Sequence, residues 1–273
     1  MRFVTFDAGQ GPQAGRLADG EVSPITAPGE GDLGDLLRRG PLPSNAPGVP
    51  VPLSEVKLLP PIPRPGKIIC IGLNYAAHAA EQGVEAPEYP TVFAKFANAL
   101  APAGAIVELP SFSQKVDYEA EVAFVIGDTC KDVPEAEALD HVAGYTLLND
   151  LSARDYQRIS AQWMPGKVFD HAAPCGPALV TPDEAGPADG IGIWLTLNGR
   201  EMQNSSTADL IHSVPALVAF LSKLMTLEPG DIVATGTPAG VGGARDPSVW
   251  LRPGDELVVS SPQLGELRTT IAR

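Results

Sequence analysis

Two glutamates one residue apart, Glu119 and Glu121 in Asp117-Tyr118-Glu119-Ala120-Glu121-Val122-Ala123-Phe124-Val125-Ile126-Gly127, alternate with apolar side chains. That period of two predicts a half-buried β-strand with both carboxylates on one face. Same-face carboxylates repel, so ionising both is costly unless a cation lies between them. A hard divalent ion meets that need, because Mg²⁺ takes oxygen ligands and keeps positions open for water and substrate. Asp150, at the end of the apolar run 144–149, is available as a third ligand. Taken alone, the strand also fits a solvent-facing edge with chance glutamates.

Other groups could do chemistry beside such an ion. His78 and Glu81 lie three apart on an Ala-rich stretch that predicts a helix over 74–82, so they share a face. A carboxylate beside an imidazole fixes its tautomer and raises its basicity, which suits a general base near neutral pH. Asp150, Arg154 and Gln157 stand at i, i+4 and i+7, one stripe of a helix expected over 152–162. A guanidinium and an amide in line with a metal ligand suit a substrate with carboxylate and keto oxygens. Lys167 could stabilise a developing oxyanion. Each feature also has a plain surface reading as a solvated side chain.

The Gly-rich segment Gly236-Thr237-Pro238-Ala239-Gly240-Val241-Gly242 has no following Lys-Ser/Thr pair, so a phosphate-binding P-loop is unsupported. A tight loop offering backbone N–H groups and the Thr237 hydroxyl to an anion, or a purely structural turn, both fit. His141, His171 and His212 have no partner pattern and read as structural. No His/Cys cluster suggests zinc, and no Gly-x-Ser-x-Gly elbow suggests a serine hydrolase.

The elements that must position these groups are mostly strands. Residues 1–6 and 67–72 read as strands, with a strand-like piece near 91–96. A short helix is expected at 32–39, with Asn74 as the cap of the Ala-rich helix and Gly83 ending it. An amphipathic helix is expected over 214–225, with Ser213 as its cap and Pro215 in the first turn. Glu228-Pro229-Gly230-Asp231 and Arg252-Pro253-Gly254-Asp255 share a Pro-Gly core that favours type II turns, each leading into a strand. Strands and helices do not alternate regularly, so the fold class is α+β and mainly β. The run Pro60-Pro61-Ile62-Pro63-Arg64-Pro65-Gly66 forbids helix. It marks a boundary between a small N-terminal domain, 1–59, and a larger catalytic domain, 60–273.

The length of 273 residues and the 44% hydrophobic content fit an ordinary folded protein with a substantial core. A formal net charge of −14 argues against nucleic-acid or anionic-membrane partners. It does not exclude an anionic substrate, since a metal and a few basic side chains can invert the local field. No signal-peptide pattern or apolar run of membrane-spanning length occurs. Cys70, Cys130 and Cys175 are too few for a disulfide framework, which suits a cytoplasmic protein.

Together these segments resemble the fumarylacetoacetate hydrolase superfamily. The likeness runs in order through Gly72-Leu73-Asn74-Tyr75-Ala76-Ala77-His78-Ala79-Ala80-Glu81, Asp117-Tyr118-Glu119-Ala120-Glu121, Asn149-Asp150-Leu151-Ser152-Ala153-Arg154-Asp155-Tyr156-Gln157, Gly166-Lys167-Val168-Phe169-Asp170 and Thr235-Gly236-Thr237-Pro238-Ala239-Gly240-Val241-Gly242. The resemblance implies a mixed β-sheet roll, usually a homodimer, with the site at one mouth of the roll. It implies Mg²⁺ or Mn²⁺ on Glu119, Glu121 and Asp150, and a His78/Glu81 catalytic dyad on a helix that orders as a lid. Lys167 would assist catalysis, and Tyr75, Arg154, Gln157 and Thr237 would bind a small anionic keto acid. His171 and Cys175 are local departures that would tune pocket shape. The implied reaction is metal-dependent C–C hydrolysis of an acylpyruvate-type β-diketo acid, by water attack with an enolate leaving group. Oxaloacetate-type decarboxylation or hydroxymuconate-type isomerisation at the same site is the alternative, and a biosynthetic or non-enzymatic relative is a third.

Overall fold

A computed structural model describes all 273 residues. Its strands outweigh its helices, 36% against 20%, as expected of a mainly-β α+β chain. Valine- and isoleucine-rich runs form the middle of a 12-stranded mixed sheet. Ala120–Ile126 lies between two antiparallel neighbours, Val142–Asn149 and Ile232–Ala234. Ile232–Ala234 then pairs in parallel with Ile68–Gly72, whose outer neighbour is Thr91–Lys95. On the other side Val142–Asn149 pairs with Ala173–Val180.

The segment before the proline run joins this same sheet. Arg2–Asp7 pairs with Ala173–Val180, and Pro12–Ala18, Glu21–Pro24 and Val51–Pro52 follow outward in order. A second sheet of five strands runs Arg200–Ser206, Gly192–Leu197, Glu256–Ser261, Gly265–Ala272 and Ala105–Glu108. Its strand Gly265–Ala272 buries Leu267, Thr269 and Ile271 and exposes the residues between, so one face meets water. Gly192–Leu197 packs against Ala120–Ile126, and one hydrophobic cluster spans both sheets.

Several sequence expectations hold locally. Ser213 caps the helix Val214–Leu224 by accepting from the Ala216 N–H, with Pro215 in the first turn. Gly230 and Gly254 carry φ of 88° and 95°, as the third position of a type II turn requires. In both turns the aspartate that follows accepts from the first residue's N–H, at 2.8 Å for Glu228 and 2.7 Å for Arg252. No helix is long and apolar enough to cross a membrane.

Three expectations fail for identifiable reasons. The glutamate strand is buried along its whole length, not half-buried, because it is central in the sheet and covered on both faces. The helix expected over 152–162 shrinks to Arg154–Gln157. Ser152–Ala153 instead pairs with Val116–Asp117, and the Arg154 N–H donates to the Lys115 carbonyl, so helical bonding cannot begin earlier. Asn74 is not a cap either. Its amide donates to the His212 and Thr235 carbonyls at 3.0 and 2.8 Å and accepts from the His212 N–H, tying three segments together. The helix runs Ala76–Glu81 with Tyr75 in the cap position.

Removing residues 1–59 leaves one edge of Ala173–Val180 unpaired and strips Phe3, Ala14, Leu33 and Leu37 from the common cluster. At roughly 1.5–3 kcal/mol per large side chain, and about 2–4 °C per kcal/mol, a 60–273 chain should melt more than about 10 °C lower and aggregate. An unchanged melting curve by calorimetry would show that the first 59 residues are energetically independent.

Candidate active site

The register of two strands builds the carboxylate cluster. Ala120 is paired with Asn149, which brings the start of one strand beside the end of its antiparallel neighbour. The Asp150 N–H then donates to the Glu119 carbonyl at 2.8 Å. One ligand oxygen from each of Glu119, Glu121 and Asp150 lies within 4.8 Å of the others, and all three residues are buried. At this point the ladder is diverted to side chains. The Glu119 N–H donates to Asn149 Oδ1 at 3.1 Å, and the Ala120 N–H to Gln203 Oε1 at 2.9 Å.

Basic side chains surround the cluster unequally. Lys167 Nζ bridges Glu119 Oε2 and Asp150 Oδ2, the latter at 2.7 Å. Arg154 donates to Asp117 Oδ2 at 2.9 Å, to Glu119 Oε1 at 2.7 Å and to Gln157 Oε1 at 3.0 Å. Lys95, which no sequence pattern singled out, is fully buried with Nζ 2.8 Å from Asp150 Oδ1. Its protons go instead to the carbonyls of Lys167, Ala172 and Leu151, so Asp150 Oδ1 receives charge but no hydrogen bond.

These contacts push the two glutamates apart. Burial alone would raise the Glu119 carboxyl, but Arg154 and Lys167 hold it well below the usual carboxylate range. Glu121 has no ion pair and accepts one bond, from the Gly236 N–H at 2.9 Å. Burial, and the negative charges of Asp150 and Glu119, push it well above its ordinary value. Burial would lower the Lys167 ammonium, yet Asp150 and Glu119 hold it protonated and above its ordinary range. Four carboxylates (Asp117, Glu119, Glu121, Asp150) thus face three cations (Lys95, Arg154, Lys167). The uncompensated charge belongs to Glu121. With Asp150 Oδ1 unbonded beside it, an all-oxygen donor set of this kind fits a divalent cation such as Mg²⁺ or Mn²⁺.

Glu119 and Glu121 open on a cavity of about 190 Å³, whose lining also includes His78, Arg154, Gln157, Lys167 and Thr237. His78 Nδ1 lies 2.6 Å from Glu81 Oε1. A carboxylate can only accept, so the neutral imidazole carries its proton on Nδ1 and leaves the Nε2 lone pair free as a base. Glu81 is itself held by the Gly240 N–H at 2.9 Å. Phe93 and Trp163 form an edge-on aromatic wall, with the Lys167 ammonium 4.9 Å from the Phe93 centroid. Gly72 is required beneath Trp163, since a Cβ there would lie 2.2 Å from the indole ring.

The Gly-rich segment does present N–H groups to anions, but to the protein's own. Gly236 serves Glu121, Gly240 serves Glu81, and Gly242 and Gly243 serve Asp117 at 2.7 and 2.9 Å. Thr237 is held by a residue that the sequence reading missed. Gln203 is oriented by the Ala120 N–H, so its amide nitrogen donates to Thr237 Oγ1 at 2.8 Å and to the Pro238 carbonyl. The Thr237 proton is then left to point elsewhere, and the cavity is the open direction. Gln157, with its oxygen occupied by Arg154, likewise has a free N–H₂.

Other candidates lie apart. Tyr75 does not line this cavity, and its buried hydroxyl has no partner. Asp150, Arg154 and Gln157 do not form one helical stripe, because Asp150 lies outside the helix, yet the strand pairing brings them together. His171 is exposed and Cys175 is buried in Ala173–Val180, and neither lines the cavity. Lys95 ends the strand Thr91–Lys95, and a lysine closing a strand in an apolar setting was its only sequence signal. Gln203 had none.

Residues 67–272 match the family model described as fumarylacetoacetate hydrolase C-terminal, and residues 1–61 match one described as Rv2993c-like, N-terminal. The chain is 45% identical over 220 residues to a mitochondrial oxaloacetate tautomerase fahd2 of Xenopus laevis, covering 80% of this chain and 69% of that one. Among solved structures, a 5-carboxymethyl-2-hydroxymuconate delta-isomerase from Mycobacterium smegmatis is 34% identical with a TM-score of 0.85. A fumarylacetoacetate hydrolase from Exiguobacterium antarcticum is 32% identical with a TM-score of 0.90. Both alignments cover 100% of each chain.

A buried carboxyl whose folded value is raised favours the fold at acid pH and costs stability as pH rises through that value. Metal-free protein should therefore lose stability as pH climbs above the ordinary carboxylate range, and added Mg²⁺ should stabilise it more at higher pH. Glu121→Gln removes the uncompensated charge while keeping an acceptor for Gly236. It should raise the melting temperature in chelator and abolish the further rise with Mg²⁺. A variant that melts lower in chelator, or still responds to Mg²⁺ like wild type, would refute this charge assignment.

Proposed function

The chain belongs to the fumarylacetoacetate hydrolase family, and we propose that within it the protein moves a proton between carbon and oxygen in a small 2-oxo acid, as an oxaloacetate-type tautomerase or isomerase. One observation carries this reading. A His–Glu base with a free Nε2 shares a small cavity with Glu119 and Glu121 of a carboxylate cluster that can hold a divalent cation. Mg²⁺ or Mn²⁺ held by Glu119, Glu121 and Asp150 would supply Lewis acidity toward the carboxylate and keto oxygens of the substrate.

The side chains divide the remaining work. His78 Nε2 takes the proton from the carbon next to the keto group and delivers it to the former keto oxygen, or carries it the opposite way from enol to keto form, and Glu81 stabilises the imidazolium formed between those steps. Lys167 gives two of its protons to Glu119 and Asp150, leaving one for an oxygen that gains negative charge. The Thr237 hydroxyl and the Gln157 amide act as donors to the substrate carboxylate. Arg154, committed to Asp117, Glu119 and Gln157, holds the cluster in place. Phe93 and Trp163 wall off water from one side. The Xenopus laevis relative, an oxaloacetate tautomerase by name, supports the same reading.

The second reading is C–C hydrolysis of an acylpyruvate. The same His78/Glu81 pair would activate a water, and the hydrolase among the structural relatives favours it. Proton transfer needs only the groups just named, whereas hydrolysis also needs room for a water beside the distal carbonyl in about 190 Å³.

His78→Ala should slow Mg²⁺-dependent oxaloacetate enol–keto conversion, followed by ultraviolet absorbance, by about 10²–10⁴-fold. Oxalate affinity should stay within a few-fold of wild type. Wild-type conversion rates in this variant would exclude His78 as the base. Faster release of pyruvate from acetylpyruvate than conversion of oxaloacetate by the wild type would replace the first reading with the second.

A further inference from the structure

The cavity lining contains three cationic side chains besides His78: Arg154, Lys167 and Arg158. Arg154 and Lys167 are buried and spent on carboxylates of the protein. Arg158 is different. It stands at the C-terminal cap of the short helix Arg154–Gln157, exposed at the cavity mouth, and its guanidinium makes no ion pair and no side-chain hydrogen bond. In a chain of net charge −14, an unpaired arginine lining the one cavity with a catalytic constellation calls for an anionic partner.

The charge balance says what that partner would be. A divalent ion on the carboxylate cluster would take the 2-oxo acid end of the substrate, and the inner cations Arg154 and Lys167 are already paired with the protein's own carboxylates. A second carboxylate on the same substrate would be left uncompensated unless another cation waits at the mouth. Arg158 occupies that place, and its planar fork suits a carboxylate oxygen pair. Its exposure also lets it act early, drawing a dianion toward the mouth against the chain's overall negative charge.

We propose that Arg158 receives a second carboxylate of the substrate, so that the enzyme prefers a 2-oxo dicarboxylate to an acylpyruvate with an uncharged tail. This rests on the 2-oxo acid reading above and deepens it. Arg158 is a specificity residue here and takes no part in proton transfer.

The test uses the full chain with Mg²⁺ and compares oxaloacetate, acetylpyruvate and the inhibitor oxalate, which has no distal carboxylate beyond a chelating pair. Arg158→Gln should raise KM for oxaloacetate roughly tenfold, the scale of one charge-assisted contact. The loss should fall on KM, with kcat for oxaloacetate changed by less than about twofold. The oxalate inhibition constant and the acetylpyruvate kcat/KM should move less than about twofold. Arg158→Lys should recover part of the oxaloacetate KM. Equal losses for oxaloacetate and oxalate would overturn the proposal, because Arg158 would then act on the chelating end. No change for oxaloacetate, with oxalate still binding, would overturn the Arg158 assignment alone. Failure of the wild type to bind oxalate in Mg²⁺ would instead remove the 2-oxo acid reading on which it rests.

Discussion

Ionised groups held away from water dominate this structure. Glu119, Asp150, Asp117, Arg154, Lys95 and Lys167 are all at or below about a tenth exposure, and beside them Glu121, which has no cation of its own, is pushed well above its ordinary value by burial and the neighbouring acids. Burying one such charge unpaired costs several kcal/mol, so the arrangement is tolerable only as a set. The surrounding fold supplies what the set requires. Two antiparallel strands bring the carboxylates together, a third delivers Lys95, and the backbone carbonyls of Leu151, Lys167 and Ala172 fix that lysine's direction. Lys95 illustrates the economy of the design: its protons satisfy the loop carbonyls while its charge offsets Asp150.

The same logic explains the Gly-rich segment. Its glycine N–H groups stabilise Glu121, Glu81 and Asp117, three acids that come from two different parts of the chain. Glycine is needed where the backbone comes close to others. At Gly240, with φ of 105°, a Cβ would stand 2.1 Å from the Met202 carbonyl. At Gly242 a Cβ would stand 2.1 Å from the Val249 carbonyl and 2.7 Å from Asp117 Oδ1. The segment has the composition of a phosphate loop and a different purpose, which is to hold the protein's own carboxylates.

The sequence exposed the chemistry better than it exposed the geometry. Glu119, Glu121 and Asp150 were legible because acids interrupting apolar runs are expensive, and the structure draws them together. His78 and Glu81 were legible from local helical spacing, which tertiary structure preserved. The Asp150–Arg154–Gln157 stripe led to the right neighbourhood through the wrong element. The contacts come from strand pairing at Ser152–Ala153, a non-local bond that no periodicity reveals. Asn74 looked like a cap because a cap is the local use of asparagine, whereas His212 and Thr235 reach it from far along the chain. Gln203 was invisible for the same reason. A glutamine in a polar strand says nothing until Ala120 and Thr237 are seen on either side of it.

Because Glu81 bonds both His78 and the Gly240 N–H, the base is not carried on an independent flap. The helix Ala76–Glu81 is pinned to the segment that also holds Glu121 through Gly236 and presents the Thr237 hydroxyl. Moving that helix outward breaks one charge-assisted hydrogen bond, a cost of roughly 1.5–3 kcal/mol, which substrate binding can readily restore. Outward motion also separates Glu81 from the loop that fixes its direction, so the imidazole loses its oriented partner as the cavity opens. The orientation of His78 and the position of the Gly-rich segment are therefore coupled through one carboxylate.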